Sequence, residues 1–374
     1  MLFPYKPIRH GMRQMHAFVA YIFAKIWCKA PDHDYSIDLF RGMTSLYLIM
    51  EELDREDQAG VEKGAGAFFY RHVNEIFIEF KSLSPDEIKN FRTQFLTNNN
   101  IQALCEGRLS PFRYPVGSTA PLQTKIKKFF SELYGSGFFN LKVVKDNIGA
   151  NLHDHYKAFA KANAMPCCPF CGLQPMDTEY DPTREAYDHF LPSSLYPFNS
   201  VNFRNLAPAC HKCNSQYKGA KDPLLSDVGI QRRAFYPYAL QNYDIQISIQ
   251  FLSNGQFPTE PSQIQIDLAC PGYEEEIATW DSIYKIRQRF IAKCCLVAVN
   301  NAWRNRILIE CRNYGRSPQQ ALEAELLACS EAPWIEASFL KSAYLQEADK
   351  ARLISINAEN GSVQGKVGGL NAQE

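Results

Sequence analysis

Between residues 168 and 222 the chain reads CPFCGLQPMDTEYDPTREAYDHFLPSSLYPFNSVNFRNLAPACHKCNSQYKGAKD. Two Cys-x-x-Cys pairs, Cys168/Cys171 and Cys210/Cys213, each offer two thiolates from one tight turn. Together they make the tetrahedral S4 set that zinc prefers. A single pair would leave a redox couple or ordinary buried thiols open, whereas two pairs in one stretch point to a structural zinc. Cys167 adjoins the first pair, but the Cys-x-x-Cys spacing selects Cys168 with Cys171. Four protein ligands leave the zinc no open position, so any reaction must fall to other residues. The residues enclosed by the pairs or next to them are Asp188, His189, Asn205 and Asn214.

These residues resemble the HNH, or ββα-metal, nucleases. The family pattern is an Asp-His pair followed by Pro, then Asn-Leu, then Cys-x-x-Cys-Asn or Cys-x-x-Cys-His, then Lys-Gly. Here it reads DHFLP at 188–192, NL at 205–206, CHKCN at 210–214 and KG at 218–219. The resemblance implies that His189 is the general base, that Asp188 and Asn214 hold a catalytic metal, and that Asn205 braces the loop and orients the base. The arrangement is most similar to HNH effectors of prokaryotic anti-phage systems such as the Septu and Zorya types, which would imply partner proteins that control the nuclease.

Phosphodiester hydrolysis needs a base for the attacking water, a cation for the charge building on oxygen, and a rigid frame. An imidazole titrates near neutrality and suits the first role. A carboxylate and an amide oxygen are hard ligands suited to Mg²⁺ or Mn²⁺. Lys218, four residues after Asn214, is expected on the same helix face, within reach of a phosphate. Arg204, Lys212 and Lys221 are the expected nucleic-acid contacts within the stretch. His211, inside the second knuckle, is expected to be exposed and idle. A lone Asp-His pair is more often a surface or capping pair, and a zinc knuckle without catalysis, binding nucleic acid or protein, is the competing function. Retention of Asp188, His189 and Asn214 together argues for the DNA endonuclease.

The whole composition bounds the rest. At 374 residues and 46% hydrophobic, the chain exceeds what one core usually serves. Its formal net charge is zero, so nucleic-acid binding must rely on local basic faces. Candidates are Lys6, Arg9, Arg13, Lys25 and Lys29 near the start, then Arg232-Arg233, Arg287/Arg289 and Arg304/Arg306, although solvated helix faces are the commoner origin of such clusters. The 12 cysteines follow no regular framework, which suits a reducing cytoplasm. No apolar run reaches the roughly 18 residues of a membrane span.

The expected fold is α+β: a helical N-terminal domain over 1–150, a nuclease module over 151–235, a strand pair with helices over 236–356, and a flexible tail over 357–374. Met12, Met15, Phe18, Val19, Ile22, Phe23 and Ile26 lie at helical spacing. Further helices are expected around 35–54 and 66–82. Ser84-Pro85-Asp86-Glu87 is a capping box whose helix should stop near Asn98-Asn99-Asn100. A connector at 110–121 leads to a basic helix with Lys125, Lys127 and Lys128, and a polar helix over 152–165 carries His153 and His155, read as solvated linker residues. Ile245, Ile247, Ile249 and Phe251 alternate with polar residues, as do Ile264, Ile266 and Leu268, around an Asn254-Gly255 loop. One long helix is expected from Glu274, and Ser317-Pro318-Gln319-Gln320 should cap another.

Overall fold

The amphipathic pattern at 12–29 forms one helical run in the computed structural model. It passes from a 3-10 turn, Gly11–Arg13, through α1 (Gln14–Tyr21) and a π turn, Ile22–Ile26, to a 3-10 segment, Trp27–Asp32. All seven apolar residues of the pattern are buried. The structure describes residues 1–354 apart from 115, 116, 118, 136, 165 and 254. The expected tail, Asn254 of the expected strand loop and Pro115 of the connector lie outside the described residues.

The protein is α+β, and its described residues are mostly helical with two antiparallel two-stranded sheets. After the first run come α2 (Thr44–Gln58), α3 (Ala65–Lys81), α4 (Pro85–Asn99), α5 (Ile101–Cys105), α6 (Ala120–Gly135), α7 (Lys142–Ile148) and α8 (Leu152–Asn163). The capping box at α4 is formed: the Ser84 backbone N–H donates to the Glu87 carboxylate at 2.8 Å, and the Glu87 N–H to Ser84 Oγ at 3.4 Å. Trp27 is completely buried and its indole N–H donates to the Val73 carbonyl at 2.9 Å, locking the first helical run onto α3.

The nuclease-like stretch supplies β1 (Tyr187–His189) and β2 (Leu206–Pro208), paired with Asp188 opposite Ala207, and then a π-helical turn, Lys212–Lys218. The loop between the strands enters the helical core. Phe198 packs against Phe23, Phe95 and Phe130 with ring centroids 5.4, 5.5 and 5.5 Å away. Asn99 donates to the Phe198 carbonyl at 3.1 Å, Asn199 to the Asn98 carbonyl at 3.1 Å, and the Ser200 hydroxyl to the Phe130 carbonyl at 3.0 Å. Residues expected as two domains, 1–150 and 151–235, therefore share one core. Asn100, the last of the Asn run, caps α5 by accepting from the Ala103 N–H at 3.3 Å.

Two compact units divide the chain. The first is Met1–Tyr243 with Glu274–Tyr284, and the second is Asp244–Tyr273 with the described residues from Lys285 onward. The long helix expected from Glu274 is interrupted: α9 (Glu274–Tyr284) ends at Lys285, whose φ of +53° no helix accommodates, and α10 (Ile286–Cys294) follows. α9 belongs to the first unit, where the Trp280 indole donates to the Phe170 carbonyl of the first knuckle at 2.8 Å.

In the second unit β3 (Gln246–Phe251) pairs with β4 (Ile264–Ala269), placing Ile249 opposite Ile266. Ile264, Ile266 and Leu268 are buried on one face, as the alternation requires. α11 (Val297–Tyr314), α12 (Pro318–Glu331) and α13 (Ser338–Lys350) complete the unit, α12 beginning at the expected Ser317 capping box. Phe251 meets Tyr344 of α13 at 5.1 Å. One of the late basic clusters serves this packing: Arg304 lies 3.9 Å from the Phe257 ring centroid and Arg306 stands 3.6 Å from Glu325. In the first unit Arg233 likewise pairs with Glu275 at 3.0 Å. No helix among the described residues is long and apolar enough to cross a membrane.

Candidate active site and metal centre

The two knuckles bring Cys168, Cys171, Cys210 and Cys213 together, all buried, with their sulfurs within 4.8 Å of one another. The first turn closes as the Gly172 N–H donates to the Cys168 carbonyl at 2.7 Å, Gly172 taking the left-handed φ of +68°. Burial raises the Cys168 thiol well above its ordinary range, and its hydrogen bonds within the cysteine cluster add to the rise. A tetrahedral metal with four sulfurs at about 2.3 Å needs closely converging thiolates, so this donor set fits a bound metal ion.

Asp188 and His189 sit side by side at the end of β1, yet their surroundings differ. Asp188 is buried and accepts from the Lys218 ammonium at 2.8 Å, and Lys218 also donates to the His189 carbonyl at 2.7 Å. Burial raises the Asp188 carboxyl, and the neighbouring ammonium opposes that rise. Its second oxygen, Oδ2, is buried with no hydrogen-bond partner. Lys218 was expected to face a phosphate, but its side chain is 1% exposed and holds the helical turn to β1. The π-helical winding of Lys212–Lys218 alters the expected i, i+4 alignment with Asn214.

His189 is half-buried, and its Nε2 lies 2.8 Å from the Ser200 carbonyl. A carbonyl only accepts, so Nε2 carries the proton and Nδ1 is the basic nitrogen. Burial lowers the imidazole to about 4, keeping it neutral at physiological pH. Asn205 is fully buried: its Oδ1 accepts from the Leu191 N–H at 2.7 Å, and its amide donates to the Leu191 carbonyl at 3.0 Å and to Asn199 Oδ1 at 2.9 Å. It thereby holds the two ends of the β1–β2 loop together.

Asn214 is half-buried on the helical turn, where its N–H donates to the Cys210 carbonyl at 2.9 Å. His211, Lys212 and Lys221 are exposed. Arg204 points elsewhere, its guanidinium lying 5.9 Å from the Tyr238 ring centroid. His155 is not a solvated linker residue: it is buried and bonds to the Tyr187 hydroxyl, because α8 lies against β1.

Two residues beside His189 were not singled out in the sequence. The Tyr134 ring from α6 stands edge-on at 4.9 Å, and the charge of Arg184, five positions before His189, acts on the Tyr134 hydroxyl. Tyr134 is brought from 55 positions away by the loop's insertion into the core, which no local spacing could signal.

The fold and site define an α+β protein with a buried four-cysteine cluster compatible with a structural metal such as zinc. No known protein-family profile matches the chain, and no solved structure matches it. Over 65 residues, 16% of its length, it is 32% identical to the Septu protein PtuB of Bacillus thuringiensis. Over 104 residues, 28% of its length, it is 33% identical to Protein ea31 of Escherichia phage lambda. The matched segments cover 25% and 31% of those two proteins. The likeness to a Septu protein agrees with one of the two expected defence types.

Proposed function

We propose that the chain is a metal-dependent endonuclease of the HNH type that hydrolyses DNA phosphodiester bonds, acting in the prokaryotic cytoplasm as an effector of anti-phage defence under the control of partner proteins. The observation that carries this reading is the orientation of His189: the Ser200 carbonyl holds Nε2–H and leaves Nδ1 as the base. The partial likeness to a Septu protein supports the defence context.

In this reading His189 Nδ1 removes a proton from the water that attacks phosphorus. The unpartnered Oδ2 of Asp188, with the side-chain oxygen of Asn214, would hold Mg²⁺ or Mn²⁺, an orphaned buried oxygen being the donor a hard cation satisfies. When bound, that ion would supply positive charge to the phosphoryl and leaving oxygens. Lys218 fixes the Asp188 carboxylate through its other oxygen, and Asn205 keeps the loop that carries Ser200 closed. Zinc on the four cysteines would register the turn bearing Asn214 against β1, and the exposed Lys212 and Lys221 would meet backbone phosphates.

The test is cleavage of supercoiled plasmid by the full chain. Mg²⁺ or Mn²⁺ should be required beyond the retained zinc, and EDTA should stop cleavage reversibly. His189→Ala should lower the rate by about 10²–10⁴-fold with the fold intact, Asn214→Ala should act similarly, and His211→Ala should be nearly silent. DNA binding without cleavage under any divalent ion would favour a non-catalytic module, and a dead His211→Ala beside a fully active His189→Ala would overturn the assignment.

A further inference from the structure

In the first unit, away from the cysteine cluster, a cavity of about 440 Å³ is bordered by Arg9, Arg13 and Arg204, with Phe159, Phe203 and Tyr238 among its walls. Its volume falls in the range of small-molecule sites. The three guanidinium groups come from separate places: the N-terminal segment, the start of the first helical run and the β1–β2 loop. No carboxylate lines the cavity, and none of the three arginines joins an ion pair among the described residues. Asp154 acts on this wall through His10, and it accepts from the Asn151 amide at 2.6 Å. His16 Nδ1, also on the lining residues, is buried without a hydrogen-bond partner.

In a chain of zero net charge, such a concentration of uncompensated cations makes a local site for an anion. Guanidinium forks suit phosphate oxygens bidentately, and both arginine and aromatic faces stack on a nucleobase. A cavity of this size has room for one nucleotide. We infer that this cavity binds a nucleoside di- or triphosphate, its phosphates held by Arg9, Arg13 and Arg204 and its base against the aromatic wall. The inference does not depend on nuclease activity. It does give the β1–β2 loop a second role, because Asn202 and Arg204 at the cavity lie between Ser200 and Asn205, which hold the His189 region.

Calorimetric titration of the full chain with ADP and GDP tests it, with adenosine and inorganic pyrophosphate as the partial ligands. At least one nucleotide should bind, adenosine should not, and pyrophosphate should bind more weakly. Arg13→Ala and Arg204→Ala should each weaken binding by about tenfold or more, with unchanged melting temperature confirming the fold. Absence of nucleotide binding to the folded chain at millimolar concentration would overturn the inference, as would unreduced affinity in the double variant. Arginine-dependent binding of a short single-stranded oligonucleotide, with no nucleotide binding, would also overturn it and make the cavity part of a nucleic-acid track.

Discussion

Lys218 and Asp188 form an ion pair sealed inside the first unit, 2.8 Å apart, with side chains only 1% and 3% exposed. The pair joins the helical turn that follows the second knuckle to the strand that bears His189. A lysine placed this way acts first on the architecture of the site, since its ammonium donates to the Asp188 carboxylate and the His189 carbonyl of β1.

Breaking that pair should be costly. Lys218→Met leaves Asp188 buried and uncompensated, and urea denaturation should show a loss of about 3 kcal/mol or more. Combining it with Asp188→Leu should recover much of that stability, because removing both charges removes the desolvation penalty. An unchanged midpoint in the single variant would mean that the pair contributes nothing to folding.

Asn205→Ala should destabilise the chain by about 2 kcal/mol or more, since it removes the partner of the buried Leu191 N–H and carbonyl and of Asn199 Oδ1. Thermal melts of the variant and the parent decide the matter. Equal stability would show that the loop closes without this brace.

Metal analysis of the purified chain should find about one zinc bound, and Cys171→Ser or Cys210→Ser should lose both metal and solubility, because metal binding free energy in such clusters is folding free energy. A well-folded chain that contains no metal would dismiss the proposed centre.

Stability should fall on acidification through histidines that burial holds neutral, half-buried His16 and buried His155 among them. Burial lowers His16 to about 4 and His155 to about 3 from the ordinary 6.5. In that window the unfolded chain binds protons that the folded chain does not, so this stabilisation is complete above pH 6.5 and drains away as pH falls toward the folded values. Each histidine contributes a slope of about 1.4 kcal/mol per pH unit at most. Glu185, which burial raises to about 7, works in the opposite direction, so the useful measurement is the difference between the parent and His16→Gln, in which that contribution cancels. The parent should lose more stability than the variant between pH 6.5 and 4; parallel profiles would contradict the burial of His16 as described.

Chemistry dictated by short spacing was legible in the sequence. The two Cys-x-x-Cys turns, the alternation along β3 and β4 and the capping boxes at Ser84 and Ser317 depend on neighbours a few positions away, and residue type fixes them. What escaped depends on contacts made across the chain. Nothing local distinguishes a lysine that will reach a phosphate from one that will be drawn under a strand, as Lys218 is. The Asn98-Asn99-Asn100 run reads as a helix stop, and it is one, but the role of Asn98 and Asn99 in grasping the distant β1–β2 loop needs the fold to be visible. His155 looked polar and free because its cover, Tyr187 and Phe203, arrives from later in the chain.

Phe198 among Phe23, Phe95 and Phe130 also bears on ancestry and engineering. A hairpin whose connecting loop is rooted in a neighbouring core is not a cassette. Excising residues 151–235 would tear out the plug and expose the socket, leaving two fragments with matching apolar wounds. Recombination could not readily move this site between proteins unless the helical shell travelled with it, and a designer wishing to graft it would have to transplant the Asn98–Asn99 clasp and the aromatic socket as well.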